Sequence, residues 1–418
     1  MTDQRRPGGT PIKFCMLTHS VYSRDVRVRR YAEYLGDEGH TVHVICLRSE
    51  DTHPQSEHPN VTVYPIPMTR SRSDGLAHIM NWAIAAVLMF MYTSWLDFKY
   101  RYDLIHVHNM PDFLVFAAVL PRLRGCLLLL NIHDPTPELT RSKLGLEPDN
   151  FLIRVQIAIE RICILFSSHV ITATPAFRTI LLSRGIPDHK ISVVMNAADP
   201  RFFSLDASRP AEAEKKDTFI LLYVGTVAKR YGLDTCVKAL PTLRERIPGI
   251  ELKIFPKIKN EGEGLDSFLS LAHRLGVRDL VHVHDPVPLA EMKRIMREAD
   301  LGIYPALQDC HMDIALSLKI PEMVSVGLPI VATRLSVLEE LYGDEAIAFV
   351  PSGDPVAFAE RVIALYNDPE KRTRLLQNAL KRAEGLTWKA QYREYRGVLN
   401  SMLDGALERG ASRTVSYE

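Results

Sequence analysis

Short apolar runs alternate with longer stretches of helical period along almost the whole chain. Lys13–Leu17 (KFCML), Thr41–Leu47 (TVHVICL), Val61–Tyr64, Asp103–Val107 (DLIHV), Leu127–Ile132 and His169–Thr172 have the length and hydrophobicity of buried strands. Between them lie helix-length stretches such as Val26–Gly39, which closes on a glycine suited to a helix C-cap. This alternation predicts a parallel sheet with helices on both faces. The polar stretch Leu205–Asp217 (LDASRPAEAEKKD) interrupts it and reads as a linker. The pattern then restarts, with Thr218–Val224 (TFILLYV), Glu251–Phe255, Leu280–Val283, Leu301–Tyr304 and Ile330–Ala332 as strands. Two α/β domains in series follow, over residues 10–205 and 215–385, with a terminal segment 386–410. Trp388–Leu407 reads as one amphipathic helix, with a frayed tail after Gly410.

One segment departs from the alternation. Leu76–Leu96 (LAHIMNWAIAAVLMFMYTSWL) is 21 residues without a formal charge, against about 20 needed to cross a bilayer. It falls between two strands of the first domain, so a span would split one sheet across a membrane and leave its backbone groups unpaired. Spanning is therefore rejected. Two readings stand: a sheet-covering core helix, or a helix that presents Trp82, Met89, Phe90, Met91 and Trp95 to a membrane surface. Arg70 and Arg72 before it, and Lys99 and Arg101 after it, suit anionic headgroups. Surface attachment is favoured, because a core helix seldom stays apolar all round for this length.

Charge and composition narrow the classes of partner. Lys and Arg number 51 against 50 for Asp and Glu, a net charge of +1 that argues against a broad nucleic-acid-binding surface. The six cysteines (Cys15, Cys46, Cys126, Cys163, Cys236, Cys310) form no CxxC pair and sit mostly in apolar runs, which predicts reduced, buried thiols. The polar opening MTDQRRPGGTP shows no signal peptide, so a cytoplasmic location is expected.

Candidate chemistry concentrates in a few stretches. In SLKIPEMVSVGLPIVA (Ser317–Ala332), a short helix carries Lys319 and Glu322 on one face, a cation and a carboxylate suited to a phosphate and a ribose diol. An i,i+3 surface ion pair is the plainer alternative. Upstream, YVGTVAKRYGLD (Tyr223–Asp234) runs from a strand through Gly225 and Thr226 to Lys229 and Arg230, and Gly232 opens a helix. A glycine turn of this kind aims backbone N–H groups at an anion, and the two cations add charge. In the first domain, Ser20–Arg30 (SVYSRDVRVRR) places Arg24, Asp25, Arg27, Arg29 and Arg30 beyond a strand end, where open α/β sheets bind ligands. Arg29 and Arg30 fit a solvated helix face, whereas Arg24 and Asp25 are candidates for acceptor contact. His108, Asn109 and Asp112 follow another strand and are candidates to line the same cleft, His108 and Asn109 on the acceptor side.

The paired second-domain stretches, in this order, resemble glycosyltransferase family 4. SRDVRVRRYAEYLGDEGHTVHVICL (Ser23–Leu47), HVHNMPDF (His106–Phe113), NIHDPTPEL (Asn131–Leu139) and VVMNAADPRFF (Val193–Phe203) are similar to a bacterial polysaccharide-assembly subgroup. The HVHN and LxLK…PEM pieces are also similar to transferases that mannosylate dolichol-linked chitobiose. The resemblance implies the GT-B architecture: two Rossmann-like domains facing across a cleft, the first on the acceptor side, the second holding the nucleotide-sugar, and a C-terminal helix crossing back. It implies transfer of a sugar from a UDP- or GDP-linked donor to a glycan or polyprenyl-pyrophosphate-linked acceptor in cell-surface polysaccharide synthesis, with retention. The enzyme would be peripheral at the inner, anionic face of the cell membrane, with no nucleic-acid partner.

The resemblance also implies roles. Glu322 matches the second glutamate of an E-x7-E motif that holds the ribose hydroxyls. Arg230, with Lys229, matches the basic loop on the diphosphate, Lys319 a second diphosphate contact, and His133 and Asp134 a pair facing the donor sugar. The first glutamate falls at Ile314, and Asp313, Asp309 and His311 are candidates to replace it, Asp313 first as the adjacent residue. Tyr231 stands where a lysine is usual and Pro256 where a glycine is common. The usual glycine pair after the first strand is replaced by Thr18–Arg24; Gly8 and Gly9 lie upstream. No DxD motif stands in a strand-end context, so neither a metal nor a cofactor is required. An epimerase of the same fold and a non-catalytic assembly scaffold are the alternatives.

Overall fold

Nearly every continuous apolar run becomes a parallel strand. The computed structural model describes residues 11–49, 56, 58–69, 75–205, 218–256 and 262–415. Two units emerge: unit 1 runs to Val194 and is rejoined by the chain from Tyr395, and unit 2 is Met195–Glu394. In unit 1 the elements are β1 (Lys13–Val21), α1 (Val26–Asp37), β2 (Thr41–Leu47), β3 (Val61–Ile66), α2 (Gly75–Tyr100), β4 (Leu104–His108), α3 (Val119–Leu123), β5 (Leu127–Ile132), α4 (Thr136–Leu144), α5 (Phe151–Phe166), β6 (His169–Thr172), α6 (Pro175–Ser183) and β7 (Ile191–Val193). Unit 2 holds β8 (Phe219–Val224), α7 (Leu233–Arg246), β9 (Ile250–Phe255), α8 (Gly262–Arg274), β10 (Val281–Val283), α9 (Leu289–Glu298), β11 (Leu301–Tyr304), α10 (Lys319–Ser325), β12 (Ile330–Thr333), α11 (Ser336–Tyr342), β13 (Ala348–Val350), α12 (Pro355–Asn367) and α13 (Pro369–Arg382). The last helix, α14 (Trp388–Val415), belongs to unit 2 up to Glu394 and to unit 1 from Tyr395.

The sheets are wholly parallel, in the orders β3-β2-β1-β4-β5-β6-β7 and β10-β9-β8-β11-β12-β13. Each strand order reverses once, between β1 and β4 and between β8 and β11. These are the doubly wound Rossmann-like sheets of the GT-B fold. Their cores lie on the two faces of each sheet, as the near-continuous hydrophobicity of the strands requires. At the other end of unit 2, Trp388 is fully buried and its N–H bonds the carbonyl of Ala198 at 3.0 Å, which closes the unit on its own beginning.

Several boundaries differ from the sequence reading for definable reasons. β1 continues past Leu17 through polar Thr18–Ser20 because its partners continue, with Thr18 beside His108 and Val21 beside Leu47 across a bulge. β7 and β13 were not expected; three residues are too few for a periodicity. α14 runs on to Val415 rather than fraying after Gly410. Five cysteines are buried, but Cys310 is half-exposed. The reading of Leu205–Asp217 as a linker falls on positions 206–217, outside the described residues, as do Gly8, Gly9, Arg70 and Arg72.

α2 packs on unit 1 through a narrow stripe. Met89 is fully buried, with Ala85, Thr93, Leu96 and Asp97, so its expected membrane role is corrected to a core one. Trp82 and Phe90 are half-buried; Trp82 packs edge-on against Phe113 and His19. The exposed apolar residues are Ile79, Met80, Ile84, Val87, Met91, Trp95 and Phe98. Only 22% of the most apolar stretch is buried, although Ile79–Tyr100 is long and apolar enough to cross a membrane. Both flanking strands, β3 and β4, lie in one sheet, which rules out crossing while that sheet is intact.

Candidate active site

Ligands of open parallel sheets bind beyond the carboxyl ends of the strands where the order reverses. In unit 1 that point is set by the ends of β1, β4 and β5. His108 ends β4, and Asn109 follows it; His133 and Asp134 follow β5. Asn109 ties the two strand ends together. Its Oδ1 accepts from the His133 N–H at 2.8 Å, and its Nδ2 donates to the Asp134 carbonyl at 2.7 Å and to Asp112 Oδ1 at 2.9 Å. The other oxygen of Asp112 accepts from Thr136 Oγ1 at 2.9 Å. His108 Nδ1 lies 3.2 Å from His133 Nε2, and the two rings are stacked with an interplanar angle of 9°.

Beside this cluster, Asp25 caps α1, accepting from the N–H groups of Arg27 and Val28 and from Ser20 Oγ at 2.9 Å. Burial alone would raise its carboxyl, but Arg27, then His133 and the Ser20 bond, outweigh burial and hold it well below the usual range. His106, His108 and His133 are all pushed down, chiefly by burial and then by a neighbouring cation or imidazole, so the rings are neutral near pH 7. Asp112 is shifted upward by burial, which its two hydrogen bonds only partly offset.

His108, Asn109 and His133 are all buried, at 1%, 7% and 5% exposure, and form one cluster. The sequence reading needs one correction here. Arg30, expected on a solvated helix face, is buried, whereas Arg29 does lie on such a face and pairs with Glu33 at 3.2 Å. Arg24 is exposed, in a 3-10 turn between β1 and α1.

In unit 2 the reversal lies between β8 and β11. Gly225 follows β8 with φ +126°, and a Cβ there would stand 2.3 Å from Lys319 Cε, so the glycine makes room for that lysine. Lys319, at the start of α10, donates to Tyr223 Oη at 3.1 Å, and its Nζ lies 4.4 Å from the ring of Tyr231, 4.7 Å from that of Tyr223 and 5.5 Å from that of Tyr304. Three aromatic faces thus hold one ammonium. Thr226 offers its carbonyl to Tyr223 Oη at 2.7 Å. Lys229 is exposed in a 3-10 turn with Arg230. Gly232 then starts α7 with φ +64°, and a Cβ would lie 2.0 Å from the Pro305 carbonyl oxygen.

Arg230 is half-buried. Its Nη2 lies 3.1 Å from His311 Nδ1 and 3.7 Å from Asp309 Oδ2, and its buried Nε has no acceptor among the described residues. Glu322 is half-exposed on α10, one turn on from Lys319. Asp313 is already engaged: its oxygens accept from Gln308 Nε2 at 3.0–3.1 Å and from the Ser336 N–H at 3.1 Å, closing its loop on the start of α11. Asp309 and His311, rather than Asp313, sit against Arg230. Sequence reading missed the ring cage of Tyr223, Tyr231 and Tyr304, whose signal is a tyrosine at or near the end of β8 and of β11. It also missed the row His106–His108–His133, visible only as an alternation in HVHN.

Residues 25–197 match the family model of the glycosyl transferase 4-like domain, and residues 205–382 that of glycosyl transferases group 1. The D-inositol 3-phosphate glycosyltransferase of Arthrobacter sp. (strain FB24) is 27% identical over 375 residues, 87% of this chain and 86% of that protein. Among solved structures, sucrose-phosphate synthase from Thermosynechococcus elongatus superposes with a TM-score of 0.76 at 17% identity, over 94% of this chain and all of that one. Anabaena HepE in complex with UDP-glucose superposes with a TM-score of 0.68 at 15% identity, over 93% and 100%. With a glycosyltransferase match on both of its parallel-sheet units, the chain belongs to the family 4 glycosyltransferases, nucleotide-sugar-dependent enzymes of the GT-B fold.

Proposed function

We propose that the chain transfers a hexose from a UDP- or GDP-sugar, with retention at the anomeric carbon, to a glycan or polyprenyl-pyrophosphate-linked acceptor in cell-surface polysaccharide synthesis. The observation that carries the donor half is the pairing of Lys319 in its tyrosine cage with Arg230, whose buried Nε lacks an acceptor among the described residues. Two fixed cations beside the glycine turn at Gly225 and the start of α7 stabilise a departing diphosphate without reorganising. Glu322 takes the ribose hydroxyls, and Thr226 and Lys229 border the phosphates. Asp313 is read as an anchor for its loop. His133 and Asp134 address the sugar being transferred, and the leaving phosphate accepts the acceptor's proton on the same face. No metal ion or cofactor enters this scheme. The complexes of Anabaena HepE with UDP and with UDP-glucose favour a uridine nucleotide.

Arg24, exposed next to Asp25, supports contact with an anionic acceptor. The relatives named for D-inositol 3-phosphate bring a second candidate, a small phosphorylated polyol, to the same cation. A panel of UDP- and GDP-sugars, with and without D-inositol 3-phosphate or a polyprenyl-pyrophosphate glycan, discriminates: transfer to the lipid-linked glycan is expected. Turnover of none of the donors overturns the reading.

Attachment to an anionic membrane surface is part of this proposal. The exposed apolar face of α2 continues across Phe116, Leu120 and Leu123 to Phe151, Leu152, Val155, Ile159, Ile162 and Leu165 on α5. The exposed charges on α2 and α5 are Lys99, Arg154 and Arg161, all cationic. Apolar area leaving water contributes about 25 cal/mol per Å2, and each such cation roughly 1 kcal/mol at an anionic leaflet. Flotation with anionic liposomes at low salt is expected, with partial release at high salt. Ser substitutions at Val87, Met91 and Trp95, all exposed, should abolish flotation and leave the circular dichroism unchanged; persistent flotation overturns the attachment.

A further inference from the structure

Under the sugar-facing pair of unit 1 runs a buried row of imidazoles. His106 Nδ1 lies 3.0 Å from Tyr395 Oη, supplied by α14. The rings of His106 and His108 are 4.1 Å apart, and His108 Nδ1 lies 3.2 Å from His133 Nε2. The Nε2 atoms of His106 and His108 are both buried with no hydrogen-bond partner among the described residues.

Those two orphaned nitrogens determine the protons. A buried N–H without an acceptor is rarer and costlier than an unpaired lone pair. Each neutral ring therefore carries its hydrogen on Nδ1, leaving a lone pair on Nε2. His106 then donates to Tyr395 Oη. His108 donates to His133 Nε2 at 3.2 Å; Asn131 Nδ2, 3.5 Å from the same Nδ1, is a donor that would need the opposite tautomer, and at that length its contact is the weaker of the two. His133 Nε2 must accept, so its own hydrogen sits on Nδ1.

We infer that His108 is a positioning residue that fixes His133 in the Nδ1–H tautomer, while Asn109 clamps the backbone on both sides of the ring. This rests on the reading above that His133 addresses the transferred sugar, and it restricts what His133 does there. Its Nε2 lone pair is taken up by His108 and its Nδ1 carries a hydrogen, so the ring offers a donor and no base. The acceptor's proton must leave by another route, as the retaining scheme requires.

The wild-type chain tests this directly. Long-range proton–nitrogen spectra of the 15N-histidine protein, with His133 assigned by its loss in His133→Gln, are expected to show His133 protonated at Nδ1. Protonation at Nε2 overturns the inference. Turnover is the second readout, measured as UDP release from UDP-glucose or from the most active donor of the panel. His108→Leu should lower kcat about thirtyfold with the donor KM little changed. His108→Asn, whose amide nitrogen stands near the Nδ1 position, should restore most of that loss. Wild-type kcat in a folded His108→Leu protein overturns it; if that variant does not fold, the wild-type spectrum decides. An Nδ1–H spectrum together with an unimpaired His133→Gln enzyme leaves the positioning intact and removes His133 from the chemistry instead.

Discussion

The two strand-order reversals carry candidate groups of opposite character. In unit 1 they include a buried set locked by hydrogen bonds between strand ends: His133 on Asn109 and His108, Asn109 on Asp112. In unit 2 they include the half-buried cations Arg230 and Lys319, and Gly225 makes room for Lys319. The difference matches two tasks. Orienting a sugar needs donors whose geometry is fixed before binding, and burial with full hydrogen bonding achieves that. Holding a diphosphate needs charge that is accessible yet not free to wander. An aromatic cage holds the Lys319 ammonium in place.

The comparison breaks most visibly if the glycines of unit 2 are filled. Gly232→Ala sets a Cβ against the Pro305 carbonyl in a left-handed conformation. It should lower stability by at least about 3 kcal/mol in denaturant unfolding. Next in size is the split between chemistry and binding. His133→Ala should depress kcat about a hundredfold while calorimetry finds nucleotide affinity nearly unchanged; equal losses in both would remove the distinction between the halves. Arg230→Ala and Glu322→Ala should show the converse, each weakening free-nucleotide binding at least about tenfold by loss of a charge-assisted bond. Unchanged affinity in both would end the donor assignment.

The smallest effect concerns pH. Behind Asp112, Glu160 is buried; burial raises its carboxyl to about 8, against the lowering influence of Arg184. The folded state therefore holds a proton that the unfolded chain releases near its ordinary value of about 4.3, so stability falls as pH rises through that window to about 8. Glu160→Gln should flatten the decline in Tm between pH 6 and pH 9. A decline as steep as the wild type's would assign the pH sensitivity elsewhere.

How much of this was legible depends on whether a signal is local. The strands were readable because burial on both faces leaves a continuous apolar run, and the edge strands β7 and β13 were not, being three residues each. Lys319, Glu322, Arg230 and Gly225 were readable because glycine turns and helical spacing are local features. The partners of Asp313, Gln308 and the Ser336 N–H, were not readable, because they are chosen by how a loop folds back. Met89 was misjudged because nothing in an all-apolar helix marks the stripe that faces the sheet.

By itself the sequence determined two parallel α/β units, a basic glycine turn and an unusually apolar helix, since periodicity and backbone freedom act over a few residues. Only the tertiary structure decided that His108 packs against His133, and that three tyrosines from separate segments surround Lys319. Burial, tautomer and cation–aromatic contact depend on which strands become neighbours, and strand order is set by packing the whole sheet.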